Sequence, residues 1–326
     1  MSQPEVLLEI RDLCVEFQTV EGTVHAVNHL SYTLHKGEKL GIVGESGSGK
    51  SVSSLGMMQL IPNPPGRITQ GEILYKGQDL VKASERQMQK IRGNEISMIF
   101  QEPMTSLNPI MKCGRQIAES LMLHWGMKKK EAMEEAVHMM QSVGIADSEL
   151  RAHEYPHQMS GGMRQRVMIA MALACQPKIL IADEPTTALD VTIQAQILDL
   201  IRKMNEKMGT SVVFITHDLG VVSELCDTVI VMYTGQIVEQ APAAELFREP
   251  KHPYTTGLLD AIPKISKGRD PLKTIEGMVP NPTERIEGCS FSPRCPRATD
   301  RCRKEAPPMK QLSDTRKVRC WMYENA

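Results

Sequence analysis

The stretch that decides the fold is GESGSGKS at 44–51, directly after the apolar segment KLGIV at 39–43. It fits the pattern G-x-x-x-x-G-K-[ST], in which glycines let successive backbone N–H groups wrap a phosphate at a helix N-terminus. A Gly/Ser-rich linker is the alternative, but an apolar strand before the loop and a helix after it favour a phosphate site. The residues assigned to nucleotide binding here are Gly44, Glu45, Ser46, Gly47, Ser48, Gly49, Lys50 and Ser51.

Within this loop, the N–H groups around Gly47 and Gly49 are expected to face β-phosphate oxygens. Lys50 is expected to reach the β- and γ-phosphates, and the Ser51 hydroxyl to coordinate Mg²⁺. The sequence therefore predicts ATP and Mg²⁺ as ligands.

The composition limits the remaining possibilities. The 326 residues suggest one large domain with an appendage, and the net charge of −1 does not indicate a nucleic-acid partner. No apolar run approaches the roughly 18 residues of a membrane-spanning helix. The first residues lack a basic-then-apolar signal, so we expect a cytoplasmic protein whose eight cysteines are reduced thiols or metal ligands.

Short apolar runs outline the fold class. The runs at 178–183 and 211–216 are too apolar for strands with one exposed face, and a helix at 191–208 separates them. Strands buried on both faces are typical of a parallel sheet in an α/β fold. Further strands are expected at 6–17, 39–43, 71–80 and 96–100, and further helices at 51–60, 114–143 and 163–174.

Two more motifs carry candidate site residues. In KILIADE at 178–184, Asp183 ends a buried strand and is expected to hold Mg²⁺ through water, while Glu184 polarises the attacking water. Alone, this pattern more often indicates a strand that simply ends in a charged turn, but together with the loop at 44–51 it favours a nucleotide site. In MSGGMRQR at 159–166, Ser160 is placed to cap a helix, which is either a simple cap or a second anion site acting across a dimer interface.

Taken together with Gln101, Ala188-Leu189-Asp190 and Thr216-His217-Asp218, these motifs resemble the nucleotide-binding subunit of ABC transporters over residues 6–240. Met159 departs from the leucine usual in that family. The resemblance implies a P-loop NTPase fold with a β-subdomain and an inserted helical subdomain at about 103–165. The composition changes from about Pro242, where prolines recur, and half of the eight cysteines fall after residue 288. We therefore place a boundary near 240, between an ATPase domain at 1–240 and a Cys/Pro-rich extension at 241–326.

The resemblance also implies residue roles. Gln101 would lie between the γ-phosphate, the water and the helical subdomain and would contact Mg²⁺, and His217 would contact the γ-phosphate beside the catalytic Glu184. Asp190 would lie at the dimer interface. Phe17 is interpreted either as an adenine-stacking side chain or as a core residue. The partner's γ-phosphate would be contacted by Ser160, Gly161 and Gly162.

Three further segments, PMTSLNP at 103–109, LDVTIQAQIL at 189–198 and HPYT at 252–255, resemble the ATPases of dipeptide, oligopeptide and nickel importers. That group implies a second homologous ATPase subunit, two transmembrane permeases and an extracellular binding protein, at the cytoplasmic face of the plasma membrane. Peptide is the expected cargo, with nickel or another solute as the alternative. A soluble ATPase acting on ribosomes or DNA is the rival class, and the single cassette argues against it. His252 and Tyr254 are interpreted as structural.

The extension contains a cysteine pattern, Cys289, Cys295, Cys302 and Cys320, spaced C-x5-C-x6-C-x17-C. Four thiolates can hold either zinc or an iron–sulfur cluster, and free thiols are the third possibility. The resemblance to peptide importers implies a [4Fe–4S] cluster. The other four cysteines, which are scattered along the chain, are interpreted as packing residues.

Overall fold

A computed structural model of the chain describes residues 5–101, 106–186, 191–262, 274–284 and 286–324. The chain divides into two compact units. The first combines residues 1–35, 40–82 and 215–326, and the second combines 36–39 with 83–214.

The strands of the described residues are β1 (Val6–Thr19), β2 (Gly22–His35), β3 (Lys39–Val43), β4 (Gly66–Tyr75), β5 (Gln78–Asp79), β6 (Ile96–Ile99), β7 (Ile179–Asp183), β8 (Ser211–Ile215), β9 (Thr228–Tyr233), β10 (Gln236–Pro242), β11 (Lys310–Ser313) and β12 (Arg316–Val318). The α-helices are α1 (Lys50–Met57), α2 (Glu85–Ile91), α3 (Cys113–Trp125), α4 (Lys129–Ser142), α5 (Ser148–Arg151), α6 (Gly161–Leu173), α7 (Val191–Met208), α8 (Leu219–Leu225), α9 (Ala243–Arg248), α10 (Pro253–Asp260) and α11 (Asp300–Lys304). Short 3₁₀ helices lie at Pro156–Gln158 and Trp321–Tyr323.

In the first unit, an antiparallel sheet has the strand order β2-β1-β4-β5. Ile10 of β1 lies opposite Tyr32 of β2 on one side and Ile73 of β4 on the other, and all three are buried. Such apolar cross-strand neighbours on one face stabilise the pairing.

The same unit contains strands in the order β11-β12-β10-β9-β3, with β3 parallel to β9. Strand β3 is almost entirely buried, which explains its uninterrupted apolar sequence. At Gly41 of this strand, an added Cβ would lie 2.9 Å from Cγ1 of Val222 and 3.0 Å from Sγ of Cys226. Helix α8 therefore packs against β3 where the strand has no side chain.

A buried carboxylate on β10 joins three segments of the first unit. Glu239 on β10 is fully buried and accepts hydrogen bonds from the N–H groups of Lys251 (2.9 Å) and His252 (2.8 Å). It also forms an ion pair with Arg316 of β12 at 2.9 Å. These contacts connect the β11–β12 hairpin and the start of α10 to β10. Loss of Arg316 or of Glu239 would leave the other charge buried without a partner, which is strongly destabilising.

In the second unit, the strands follow the order β8-β7-β6, and β6 is parallel to β7. Helix α7 is amphipathic, with Ile197, Ile201 and Met204 buried at helical spacing. At its buried end, Asn205 donates hydrogen bonds to the carbonyls of Gly37 (2.8 Å) and Thr210 (2.7 Å), so the helix is fixed to the segments that precede β3 and β8.

Helices α3 to α6 of this unit pack closely around small and Met side chains. A Cβ added at Gly114 of α3 would lie 2.7 Å from Cβ of Ala152, and the Gly114 N–H donates to the Ala152 carbonyl at 3.0 Å. Sγ of Cys113 lies 3.6 Å from Sδ of buried Met159. None of the helices in the described ranges is both long enough and apolar enough to cross a membrane.

Most sequence predictions of secondary structure are confirmed, and so is the α/β fold class. Strands β3, β6, β7 and β8 and helix α7 lie where the apolar patterns placed them. The two helical segments predicted within 114–143 are α3 and α4, which are separated where Gly126 adopts a left-handed conformation after α3. Strand β2 was not predicted, since its polar residues, Asn28 and His29 among them, obscure the alternation.

Acidification below pH 6.5 is expected to destabilise the protein through His252. Burial lowers the pKa of this side chain to about 3, and its Nδ1 accepts the Tyr254 N–H. An unfolded chain with an ordinary histidine pKa of about 6.5 binds the proton first. The free energy of unfolding should therefore fall by about 1.4 kcal/mol for each pH unit between 6.5 and 3.

Urea unfolding at pH 7 and pH 5 measures this effect. His252→Asn is the matched control, because its side-chain oxygen can still accept the Tyr254 N–H but does not titrate. The wild type should lose more stability than this variant, and equal losses would contradict the assignment.

Candidate nucleotide site and cysteine cluster

The loop between β3 and α1 has a backbone that other residue types could hardly adopt. Gly44 and Gly49 have φ values of 153° and 94°. A Cβ at Gly44 would lie 2.2 Å from the Met232 carbonyl oxygen, and one at Gly49 would lie 2.3 Å from that of Ala26. The first and last glycines of the motif are therefore required by steric exclusion as well as by conformation.

The positive charge of the loop comes from Lys50 at the first position of α1. Its buried ammonium donates to the carbonyls of Gly44 (2.8 Å) and Glu45 (2.9 Å) and lies 3.4 Å from Oγ of Ser48. Ser51 follows in the first helical turn. A helix N-terminus combined with a lysine ammonium favours a bound anion, as a phosphate site requires. Ser46 and Gly47 are exposed at the tip of the loop.

The loop is also contacted by distant residues that the sequence motifs did not indicate. The Glu45 N–H donates to the Tyr254 hydroxyl at 2.9 Å. The Glu45 carboxylate forms a two-point ion pair with Arg294, with distances of 2.7 Å and 3.1 Å. Two sequence signals lie near these contacts, HPYT at 252–255 and Cys295 beside Arg294, but neither indicated a contact with the loop.

In the second unit, the parallel strands β6 and β7 end at the same edge of their sheet. Asp183, the last residue of β7, is buried. Glu184 follows in a left-handed conformation with φ 46°, which is strained for a side-chain-bearing residue. Nε2 of Gln101 donates to Oε2 of Glu184 at 3.1 Å, so the structure brings these two predicted residues together.

The Ser-Gly-Gly segment begins helix α6. Oγ of Ser160 accepts the Met163 N–H at 3.3 Å, which confirms the predicted cap. Ser160 and Gly161 are exposed, and a Cβ at Gly161 would meet nothing within 4 Å. The next turn of the helix is buried, where Gln165 donates to the Pro185 carbonyl at 2.5 Å. This contact ties α6 to the residues that follow Glu184.

Three other predicted residues lie in different surroundings. His217 is exposed and precedes Asp218, whose carboxylate caps α8. Phe17 on β1 is half-buried, and its ring lies 2.6 Å from the position that a Cβ of Gly66 would occupy. Asp190 and part of the 103–109 segment lie outside the described residues.

The four cysteines of the extension line one cavity of about 260 Å³. None of them forms a disulfide. Burial raises the pKa of Cys289 to about 11, and the neighbouring cysteines add to this effect. Burial also raises the pKa values of Cys295 and Cys320. Within the described ranges, no three His, Cys, Asp or Glu side chains are arranged to hold a single metal ion.

Comparison with known proteins gives the same two parts. Residues 27–187 match the family described as ABC transporter, and residues 238–302 match the family described as oligopeptide/dipeptide transporter, C-terminal region.

Two curated relatives are similar over almost their whole length. The oligopeptide transport ATP-binding protein AppD of Bacillus subtilis is 53% identical, with 98% of this chain and 97% of that protein covered. The dipeptide transport ATP-binding protein DppD of Escherichia coli is 49% identical, with 96% of each chain covered.

Among solved structures, the ATP-binding cassette MJ0796 in a dimeric post-hydrolysis state bound to ADP and phosphate has a TM-score of 0.67 and 27% identity. The match covers 73% of this chain and 99% of that one. The chain therefore belongs to the ABC transporter family, as an ATP-binding and ATP-hydrolysing subunit of its oligopeptide/dipeptide group.

Proposed function

We propose that the loop at 44–51 binds the phosphates of ATP and that the hydrolysis of this ATP powers the import of peptides. The main support for ATP binding is the loop itself, because its glycine backbone and the Lys50 ammonium lie at the start of α1. In this proposal Lys50 neutralises the β- and γ-phosphates, and Ser51 and Asp183 hold Mg²⁺. The peptide cargo is supported by the names of the relatives that the chain resembles.

Glu184 acts in this proposal on the attacking water, and Gln101 positions both the water and the metal. The hydrogen bond between these two side chains supports a shared role. His217 contacts the γ-phosphate. Phosphoryl transfer needs mainly positioning and charge neutralisation. In this proposal Lys50 and Mg²⁺ supply the positive charge, while Glu184, Gln101 and His217 position the water and the γ-phosphate.

The site is completed by a second subunit. Ser160, Gly161 and Gly162 begin a helix at an exposed surface, where they can reach the γ-phosphate of a partner. The similar cassette MJ0796 is dimeric with ADP and phosphate bound, which supports this arrangement. Asp190 lies at the same interface in the proposal, and Phe17 stacks on adenine.

The partners follow from the family. We assign a second homologous ATPase subunit, two transmembrane permeases and an extracellular binding protein that delivers the peptide, with this chain at the cytoplasmic face of the plasma membrane. In the same proposal, residues 1–240 form the ATPase domain with a helical subdomain at about 103–165, and residues 241–326 form the extension. The match of the C-terminal family from residue 238 supports that boundary.

The four cysteines of the extension hold a [4Fe–4S] cluster in this proposal. The fit rests on the shared cavity, which all four of them line without a disulfide. Four thiolates are a donor set that such a cluster accepts, and zinc is the alternative that the same four would hold. When bound, the cluster cross-links the chain in place of an apolar core.

Glu184→Gln should bind ATP normally but hydrolyse it about 100-fold or more slowly, because the amide cannot polarise the attacking water. ATP binding and phosphate release by the assembled transporter measure the two effects separately. Glu206→Gln, on the exposed face of α7, is the matched control and should behave as the wild type. Near-normal steady-state hydrolysis by Glu184→Gln would contradict the proposed role of Glu184 in polarising the water.

Anaerobically purified protein should contain about four iron and four sulfide per chain, and Cys295→Ser should lose most of both. Elemental analysis and the visible absorption spectrum are the measurements. Cys175→Ser, a change at a buried cysteine outside the cavity, is the control and should keep the iron. A colourless, iron-free protein with full activity would refute the cluster. Bound zinc without iron would refute it too and would identify zinc as the ligand of the four cysteines.

A further inference from the structure

Residues of the C-terminal extension contact the phosphate loop within the first unit. We propose that Tyr254 and Arg294 are positioning residues for nucleotide binding, which act by holding Glu45 of the loop. This inference rests on the proposed role of the loop in binding nucleotide phosphates. It adds to that role two residues that lie 209 and 249 positions away from Glu45 in the sequence.

The ion pair between Arg294 and Glu45 is largely shielded from water. The Arg294 side chain is 4% exposed and the Glu45 side chain 28%. Both terminal nitrogens of the guanidinium group, Nη1 and Nη2, donate to the carboxylate, at 2.7 Å and 3.1 Å. A bidentate pair fixes orientation as well as distance. The contact therefore restrains the Glu45 side chain in one position.

Arg294 is itself fixed before it reaches the loop. Its guanidinium donates to the carbonyls of Glu276 (3.2 Å) and Ile275 (3.4 Å) and lies 3.5 Å from the Tyr233 hydroxyl. It precedes Cys295 directly, so the segment that carries it is part of the cysteine-lined loop. A fixed conformation of that loop therefore also fixes the position of Arg294.

Tyr254 is fixed by packing. Its fully buried ring lies 4.6 Å from the Tyr233 ring and 5.3 Å from the Phe291 ring, between ring centres. The start of its helix is held by Glu239, which accepts the N–H of His252. Burial raises the pKa of Tyr254, so the neutral hydroxyl is present at physiological pH to accept the Glu45 N–H.

Glu45 in turn contacts Lys50, the side chain proposed to bind the phosphates. Its carbonyl accepts a hydrogen bond from the Lys50 ammonium at 2.9 Å, and the same carbonyl accepts the Ser48 N–H at 3.2 Å. Glu45 is thus held through its N–H by Tyr254 and through its carboxylate by Arg294, while its carbonyl sets the loop. A loop that is ordered before binding loses less conformational entropy when the phosphates arrive.

Titration of the full-length protein with a fluorescent ADP analogue tests the proposal. Tyr254→Phe removes only the hydroxyl and keeps the aromatic packing, and Arg294→Gln removes the ion pair. Each should weaken ADP binding by roughly tenfold, as expected for loss of a hydrogen bond to a charged or buried group. Arg303→Gln breaks an exposed ion pair with Asp300 in the same extension and should change the affinity less than about twofold.

The stoichiometry of the same titration separates positioning from misfolding. A mispositioned loop raises the dissociation constant at an unchanged number of sites, whereas partial unfolding lowers the number of sites. The double variant Glu45→Gln/Arg294→Gln should be no weaker than Arg294→Gln alone, because both changes break one interaction.

Lys50→Ala distinguishes this inference from the function on which it rests. If the wild type binds ADP and Lys50→Ala does not, the loop has its proposed role whatever the other variants show. Wild-type affinity in both Tyr254→Phe and Arg294→Gln would then overturn the positioning role alone. Should Arg294→Gln fail to fold, Tyr254→Phe decides the question.

Discussion

The backbone that leaves β3 passes so close to two carbonyl oxygens, those of Ala26 and Met232, that positions 44 and 49 have no room for a side chain. This steric constraint sets the path of the loop. It also places Lys50 at the first position of α1, where the helix N-terminus and the ammonium reinforce each other. The proposed phosphate contacts depend on this geometry, because the loop backbone and the Lys50 ammonium would make them.

The extension has a physical reason to be attached to this cassette. It is rich in proline and cysteine and has little apolar content of its own, yet Glu239, Tyr233 and Phe291 fix it within the first unit. Through Tyr254 and Arg294, the extension contacts Glu45 of the phosphate loop, which lies near the other end of the sequence. A segment that is weakly stabilised by burial thus depends on ion pairs, aromatic contacts and, in our proposal, a cluster.

Local patterns predicted much of the fold and the site. Strands β3, β7 and β8 were predictable because both of their faces are buried, which leaves an uninterrupted apolar sequence. Asp183 and Glu184 were predictable as candidates because they end such a strand. The left-handed conformation of Glu184 and its hydrogen bond with Gln101 were not, since they depend on the parallel pairing of two strands far apart in sequence.

The contacts of Arg294 and Tyr254 with the loop lay beyond sequence reasoning for the same reason. A charged residue in a loop-rich segment is usually solvated, and only tertiary structure shows that Arg294 is buried against Glu45. Strand β2 was not predicted because its polar residues obscure the alternation. It pairs with β1, and these two are the longest strands described. Short motifs therefore located the chemistry, whereas long-range packing determines what holds it in place.

Peptide uptake into membrane vesicles tests the central claim most directly. The vesicles should contain the assembled transporter, its binding protein and either the wild-type chain or Lys50→Ala. We predict ATP-dependent accumulation of labelled peptide with the wild type and none with Lys50→Ala at equal assembly. Uptake that persists with Lys50→Ala, or ATP hydrolysis by the wild type without transport of any peptide, would contradict the account.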